Sequence, residues 1–352
     1  MTRTGRTALI AGATGAVAKR LVEHLSAASW EVIGLCRNVP AETAAARYIA
    51  VDLYDGDGLR RALANERAVT HVFYASRARH GEGGVESVEE NVAMLRHLID
   101  AVEAGCPKLE HIHLVEGAKW YGIHLGAFPT PALEDDPRHM PPNFYYDQED
   151  LLRARQMGRR WTWSVSRPNV VCDFAPERPR NLTSIIAAYA AICKELGLAL
   201  DFPGQPGHYR ALTEVTDATL LAQAMAFMAT APACRNQAFN ITNGDVYRWE
   251  RMWPLVAEYF GLKVGAIRPL VLADWMKDKG PVWDRIVARH GLVPNKLEDV
   301  ALWGFADFVF RQSYDVISSN IKLRLAGFHH MRETREMFFS QFGQYREARI
   351  LP

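Results

Sequence analysis

The stretch Thr7-Ala-Leu-Ile-Ala-Gly12-Ala-Thr-Gly15-Ala-Val-Ala18 decides the fold. Five small or apolar residues suited to a buried strand run into a turn with two glycines, and a helical pattern opens behind it with Lys19 and Arg20. A glycine turn between a strand and a helix lets the backbone approach a pyrophosphate, whose charge the amides and the helix N-terminus can hold. A purely structural tight turn is the competing reading, and the strand before and helix behind favour the dinucleotide. Gly12, Thr14, Gly15, Ala16 and Val17 are therefore candidate cofactor contacts. Arg3, Arg6 and the apolar run ending at Ala18 superficially imitate a secretory leader. The two glycines interrupt that run and basic residues follow at once, so a cytoplasmic protein is expected.

Working outward, short β-rich runs alternate with helical patterns up to about residue 170, the signature of a doubly wound parallel sheet. The strands read as 7–11, 31–36, 48–51, 71–74, 111–115 and 163–166, with a seventh at 238–241. Ser87 and Glu90 form a capping box before an amphipathic helix running to Ala104. From about Tyr247 the chain turns to helices carrying Trp249, Trp253, Trp275, Trp283 and Trp303, most of which read as core. The fold class is thus α/β, a Rossmann-type doubly wound parallel sheet with an interleaved, mainly helical C-terminal substrate domain. Residues 1–173 and 214–245 are assigned to the dinucleotide-binding domain, and 174–213 and 246–352 to the substrate-binding lid.

The 352 residues are 49% hydrophobic and 23% charged with a net charge of +1, a balance that suits a globular protein and lacks the basic excess of a nucleic-acid binder. The longest apolar run, Ile185 to Cys193, is far short of the roughly 20 residues that span a bilayer. Cys36, Cys106, Cys172, Cys193 and Cys234 are odd in number and scattered, and read as reduced and buried. His111 and His113 share one strand face, but no carboxylate or cysteine supports them at ligand spacing, so no metal is expected.

At the end of the second strand an NAD site would carry Asp or Glu for the ribose hydroxyls, and this chain has Arg37 instead. A guanidinium there can pair with a 2′-phosphate, which favours NADPH, the alternative being a solvated loop cation. After the third strand, Asp52 and Leu53 stand where an acid meets the adenine, although Asp at a strand end also caps helices. Ordinary short-chain dehydrogenases place a Lys four residues after the catalytic Tyr. Here Tyr145 is followed at that spacing by Glu149 and Tyr146 by Asp150, and a carboxylate raises a phenol pKa. The cation must come from elsewhere, and Lys119, on the loop after the fifth strand, reaches the same carboxyl-end crevice.

The segments Gly117-Ala-Lys-Trp-Tyr-Gly122, Asn143-Phe-Tyr-Tyr-Asp-Gln-Glu-Asp150, Trp163-Ser-Val-Ser-Arg-Pro168, Tyr189-Ala-Ala-Ile-Cys-Lys194 and Phe239-Asn-Ile-Thr-Asn-Gly-Asp245 resemble the progesterone 5β-reductase and iridoid synthase-like family, with Pro281-Val-Trp-Asp284 and Leu292-Val-Pro-Asn-Lys-Leu297 extending the likeness into the lid. The resemblance implies an NADPH-dependent reduction of the carbon-carbon double bond of an enone or enal. It also implies Lys119 and the first tyrosine, Tyr145, as catalytic residues, a choice that spacing alone leaves open. It places Pro168 and Val171 against the nicotinamide, and Ala75 and Ser76 complete the cofactor set. Arg77, Phe144 and Trp120 are candidate pocket residues, with core packing the preferred reading for both Trp120 and Tyr146. The family's Thr-Trp-Ala-Asn stretch is replaced by Ser76-Arg77-Ala78-Arg79, which weighs against a steroid. Its Ser-Pro-x-Ser-x-x-Asn stretch is replaced by Ala175-Pro-Glu-Arg178-Pro-Arg-Asn181, leaving Arg178 open between the cofactor phosphates and solvent. The partner expected is a small-molecule enone or enal, with no nucleic acid and no membrane, and a homodimer is left open. A carbonyl reductase on the same frame, or an NADPH-binding sensor without turnover, are the competing functions.

Overall fold

The computed structural model describes residues 5–41, 45–79, 86–176 and 178–352. Its strands are β1 (Thr7–Ala11), β2 (Glu31–Cys36), β3 (Arg47–Ala50), β4 (His71–Tyr74), β5 (His111–Val115), β6 (Thr162–Pro168), β7 (Val171–Cys172), β8 (Leu200–Phe202), β9 (Thr216–Asp217), β10 (Gln237–Ile241) and β11 (Val264–Ile267). The helices of the first half are α1 (Ala16–Ala27), α2 (Gly56–Leu63), α3 (Val88–Gly105) and α4 (Phe144–Gln156). Those that follow are α5 (Leu182–Glu195), α6 (Pro206–Arg210), α7 (Ala218–Thr230), α8 (Trp249–Tyr259), α9 (Leu272–Trp275), α10 (Gly280–His290), α11 (Leu297–Val300), α12 (Trp303–Phe310), α13 (Ile321–Leu325) and α14 (Thr334–Glu347).

Seven strands form one sheet in the order β10-β6-β5-β4-β1-β2-β3, parallel at every pairing. Four of the expected strands match the observed bounds. The edge strand β3 starts at Arg47, one residue early, while β6 runs on to Pro168 and β10 begins at Gln237. Alternation along the strands divides the core. Leu9, Ala11, Leu35, Val72, Tyr74, Leu114 and Val165 face α3 through Met94, Leu95 and Leu98, whereas Ala8, Ile10, Phe73, Phe239 and Ile241 face α1 and α7 through Leu21, Leu25, Leu221 and Met225. Ser87 Oγ caps α3 by accepting the Glu90 amide at 3.2 Å, one half of the expected box, and the Glu90 carboxylate accepts the Tyr54 hydroxyl at 2.9 Å.

A second core belongs to the C-terminal helices. In α5 every residue from Leu182 to Cys193 is buried, so the helix is apolar all round because it is enclosed by protein. Trp249, Trp253 and Trp283 are fully buried there, with indole N–H groups donating to His208 Nε2, the Leu200 carbonyl and Asn295 Oδ1 at 3.0, 3.1 and 2.9 Å. The two-residue ladder between β7 and β9 stitches the returning chain to the sheet. Among the described residues no helix is long and apolar enough to cross a membrane. All five cysteines are unpaired and buried.

Candidate active site

The chain leaves β1 outward to β2 and β3 and returns to β4 on the other side of β1. Connections diverge at that point, and a crevice opens at the carboxyl ends of the strands. Gly12 turns there with φ +78, and a Cβ on it would lie 2.6 Å from Ser76 Oγ and 3.0 Å from the Ala75 carbonyl. Only glycine lets β1 turn this close to the loop after β4. Gly15 starts α1 without a side-chain cap, and the first turn of that helix carries no acidic residue. Its first turn puts no carboxylate of its own in competition, and the cradle fits a pyrophosphate.

One end of the crevice is lined by Gly12, Thr14, Gly15, Cys36, Arg37, Asp52, Leu53, Ala75 and Ser76, which brings together the residues expected for the adenosine half. Arg37 is exposed into it. The helix-cap alternative for Asp52 falls to Asp55, whose carboxylate accepts the Gly58 amide at 2.8 Å at the start of α2. Asp52 Oδ1 takes the Tyr54 amide at 3.1 Å and stays at the crevice. Arg178 also lines this end, where its guanidinium donates to the Thr14 carbonyl at 2.5 Å. Of its two readings, the structure places it over the glycine turn.

The other end is lined by Ala16, Val17, Pro168 and Val171, with Lys119, Phe144, Tyr145 and Arg77. Lys119 lies in a 3-10 turn, Ala118–Tyr121, entered through extended Gly117. A Cβ on Gly117 would stand 3.3 Å from both the Tyr145 hydroxyl and the Pro168 carbonyl, so that phenol packs against bare backbone. Asn143 ties the two candidate catalytic residues together. Its Nδ2 donates to the Lys119 carbonyl at 2.8 Å while its Oδ1 accepts the Tyr145 amide at 3.1 Å as the cap of α4. Burial pushes the Tyr145 phenol above its ordinary range, with Arg77 and Arg180 opposing and Glu86 and Glu116 adding to the rise. The Lys119 ammonium is pushed down by burial and held up by Glu86, which accepts from it at 2.7 Å and from Arg77 at 2.9 Å.

Position 149 explains the missing lysine. Glu149 is fully buried and pairs with Arg167 at 2.7 Å, and Arg167 also pairs with Glu116 at 2.9 Å. The helix position that ordinarily supplies the cation here faces a structural knot, where a second ammonium would meet the Arg167 guanidinium. Trp120 belongs to that knot. It is not brought to the crevice, because its ring lies under Arg167 at 3.6 Å and edge-on to Tyr146 at 4.7 Å. The Tyr146 hydroxyl donates to the Trp120 carbonyl at 2.6 Å and accepts the His139 amide at 2.9 Å, a structural role.

Sequence reasoning passed over Glu86, Asn143, Arg180, Phe305 and Phe308 at this end. Asn143 carried a visible signal, an N-cap residue directly before the Phe-Tyr-Tyr helix. Glu86 and the two phenylalanines carried none, since only tertiary packing brings them here.

Solved structures share the architecture. A putative epimerase from Burkholderia cenocepacia superposes with TM-score 0.72 at 18% identity, covering 99% of this chain and 100% of that one. UDP-glucose 4-epimerase from Thermus thermophilus, solved with NAD, gives 0.68 at 19%, covering 97% and 99%. Fold and crevice together define a Rossmann-fold oxidoreductase of the short-chain dehydrogenase/reductase type. More narrowly, the chain belongs to the PRISE-like Rossmann-fold family, whose model matches residues 56–352. It is 37% identical to (S)-8-oxocitronellyl enol synthase of Nepeta racemosa over 98% of this chain and 93% of that protein. A short chain dehydrogenase of Penicillium aethiopicum is 32% identical over 99% of both chains.

Proposed function

We propose that this protein reduces the carbon-carbon double bond of an activated α,β-unsaturated carbonyl compound, with NADPH as reductant. The observation that carries the reading is the displaced cation. Lys119 stands on the loop after β5 beside Tyr145, while the helix position used for direct carbonyl reduction is spent on the Arg167 knot. In conjugate addition the oxygen that gains charge lies three bonds from the attacked carbon, against one in direct carbonyl reduction, so its stabilising groups need a different placement.

The residues that would hold the cofactor are the Gly12 to Val17 turn for the pyrophosphate, Arg37 and Arg178 for phosphate charge, and the Pro168 to Val171 backbone for the nicotinamide. When bound it supplies a hydride, two electrons and one hydrogen, to the β-carbon. Tyr145 donates a hydrogen bond to the carbonyl oxygen as it becomes an enolate. Lys119, desolvated in the crevice, adds positive charge near the phenol and is anchored by Glu86. The former π pair takes a solvent proton at the α-carbon, and the product is the saturated carbonyl compound. Asn143 fixes the turn bearing Lys119 to the helix bearing Tyr145.

Incubation with NADPH and 2-cyclohexen-1-one, followed by gas chromatography and mass spectrometry, tests the reading. Cyclohexanone is the expected product. Allylic alcohol as the main product would make the protein a carbonyl reductase, and NADPH binding without oxidation across enones, enals, aldehydes and ketones would make it a sensor.

A further inference from the structure

Among the described residues, the nicotinamide end of the crevice holds more positive charge than its carboxylates answer. Lys119, Arg77 and Arg180 all line it. Glu86 serves both Lys119 and Arg77, at 2.7 and 2.9 Å. Glu116 lines the same space but is committed to Arg167 at 2.9 Å. Among the described residues no carboxylate pairs with Arg180, whose guanidinium instead lies over the Phe305 ring at 4.7 Å. Arg180 and Arg77 feel each other as like charges, Glu86 offsets Arg180 only through space while bonded to Lys119 and Arg77, and both arginines act on Tyr145.

The 2′-phosphate position does not account for Arg180, since it lies at the other end, lined by Arg37, where Arg180 does not appear. The pyrophosphate turn spans both ends, with Ala16 and Val17 on the Arg180 side, and Arg178 is the arginine that bonds to it, at the Thr14 carbonyl. Pro179 separates the two arginines: Arg178 reaches back to Thr14, and Arg180 turns to the space bounded by Ile123, Phe144, Phe305 and Phe308. A planar guanidinium supported on an aromatic ring is pre-organised for two parallel hydrogen bonds to a carboxylate. Phenylalanine walls around it suit an aliphatic or aromatic body between that carboxylate and the reacting carbons.

We propose that the substrate is an enone or enal carrying a carboxylate, which Arg180, with Arg77 beside it, binds while the conjugated carbonyl meets Tyr145. The proposal rests on the reductase reading for the reacting group, and on Arg180 for the anion.

The test compares (E)-6-oxohept-4-enoic acid with its methyl ester, in which two methylenes separate the carboxyl group from the enone and leave its reactivity alike. Calorimetric titration into the enzyme saturated with NADP+ should show the acid binding about 10- to 100-fold tighter, the range of a charge-assisted bidentate contact. Arg180→Gln should bring the acid-to-ester ratio close to one, Arg180→Lys should keep part of it, and rising salt should shrink it. NADPH affinity of the Arg180→Gln protein, read by nicotinamide fluorescence, should stay within about twofold of the unmodified protein. Equal affinities for acid and ester, or a preference that survives Arg180→Gln, would overturn the proposal. So would a loss of NADPH affinity matching the loss for the acid, since that would assign Arg180 to the cofactor. Binding is read without turnover, so the two readings separate. Reduction at the carbonyl with a tenfold acid preference would sink only the enone reading, and a saturated ketone from acid and ester bound equally well would sink only the carboxylate.

Discussion

In the proposed reaction Tyr145 and Lys119 act as a pair, and their surroundings bear on the charge of each. Burial raises the phenol and lowers the ammonium; Arg77 and Arg180 oppose the first shift and add to the second, while Glu86 opposes the second and adds to the first. Tyr145→Phe and Lys119→Ala should each lower kcat on an enone by about 10² to 10³, the effect of removing one group aimed at a developing oxyanion, with little change in NADPH affinity. Steady-state rates and a fluorescence titration check both halves. The neighbouring hydroxyl supplies the control. Tyr146 is spent on the Trp120 carbonyl, so Tyr146→Phe should act on stability, and a kcat loss confined to that variant would reverse the assignment. The choice between the adjacent tyrosines was invisible to spacing. Geometry separates them, one phenol against Gly117 in the crevice and the other inside the knot.

At the scale of elements, β5 and β6 are cross-linked by side chains as well as by their backbone ladder. His111 bridges Thr162 Oγ1 and Ser164 Oγ, both at 2.8 Å, and His113 bridges Ser164 Oγ and Ser166 Oγ at 2.8 and 3.0 Å. These are the two histidines on one strand face, and hydroxyls from the adjacent strand occupy all four ring nitrogens. Burial lowers the His113 pKa from 6.5 to about 3. Between those values the unfolded chain binds a proton there that the native chain does not, so this group subtracts stability as pH falls, by about 1.4 kcal/mol per unit. Comparing urea unfolding at pH 6.5 and pH 5, the unmodified protein should lose about 2 kcal/mol more than His113→Gln. Taking the difference between the two proteins cancels buried acids of opposite sign, such as Glu214, raised by burial to about 8. Parallel losses in the two proteins would show that the ring does not stay neutral.

For the whole molecule, the crevice is a seam between two cores. The sheet contributes the glycine turn and the strand ends, and the C-terminal helical core contributes Phe305 and Phe308, with Arg178 and Arg180 on the segment that enters it. A ligand filling the seam therefore bears on both cores. At one hundred times its Kd, NADPH should stabilise the native state by about 2.7 kcal/mol, about 3 to 4 °C in unfolding midpoint for a chain of this length. At equal concentration NADH should shift the midpoint less, and Arg37→Ala should close the gap by weakening NADPH. Equal shifts in the unmodified protein would remove Arg37 from 2′-phosphate recognition. Differential scanning fluorimetry reads all three.

The strand-turn-helix opening, the alternation of strands and helices and the Arg37 signal are local patterns, so the sequence by itself determined the parallel sheet, the dinucleotide turn and the candidacy of Lys119. Parity alone put His111 and His113 on one strand face, because side-chain direction in a strand alternates residue by residue. The partners of those residues were decided by tertiary structure alone. Glu86 meets Lys119 from 33 positions away, Phe305 meets Arg180 from the far end of the chain, and Glu149 turns from the crevice because Arg167, on a neighbouring strand, claims it. Trp120, next to Lys119 in sequence and a candidate for pocket or core, is the floor under Arg167 for the same reason: one residue of turn geometry reverses the direction in which a side chain points.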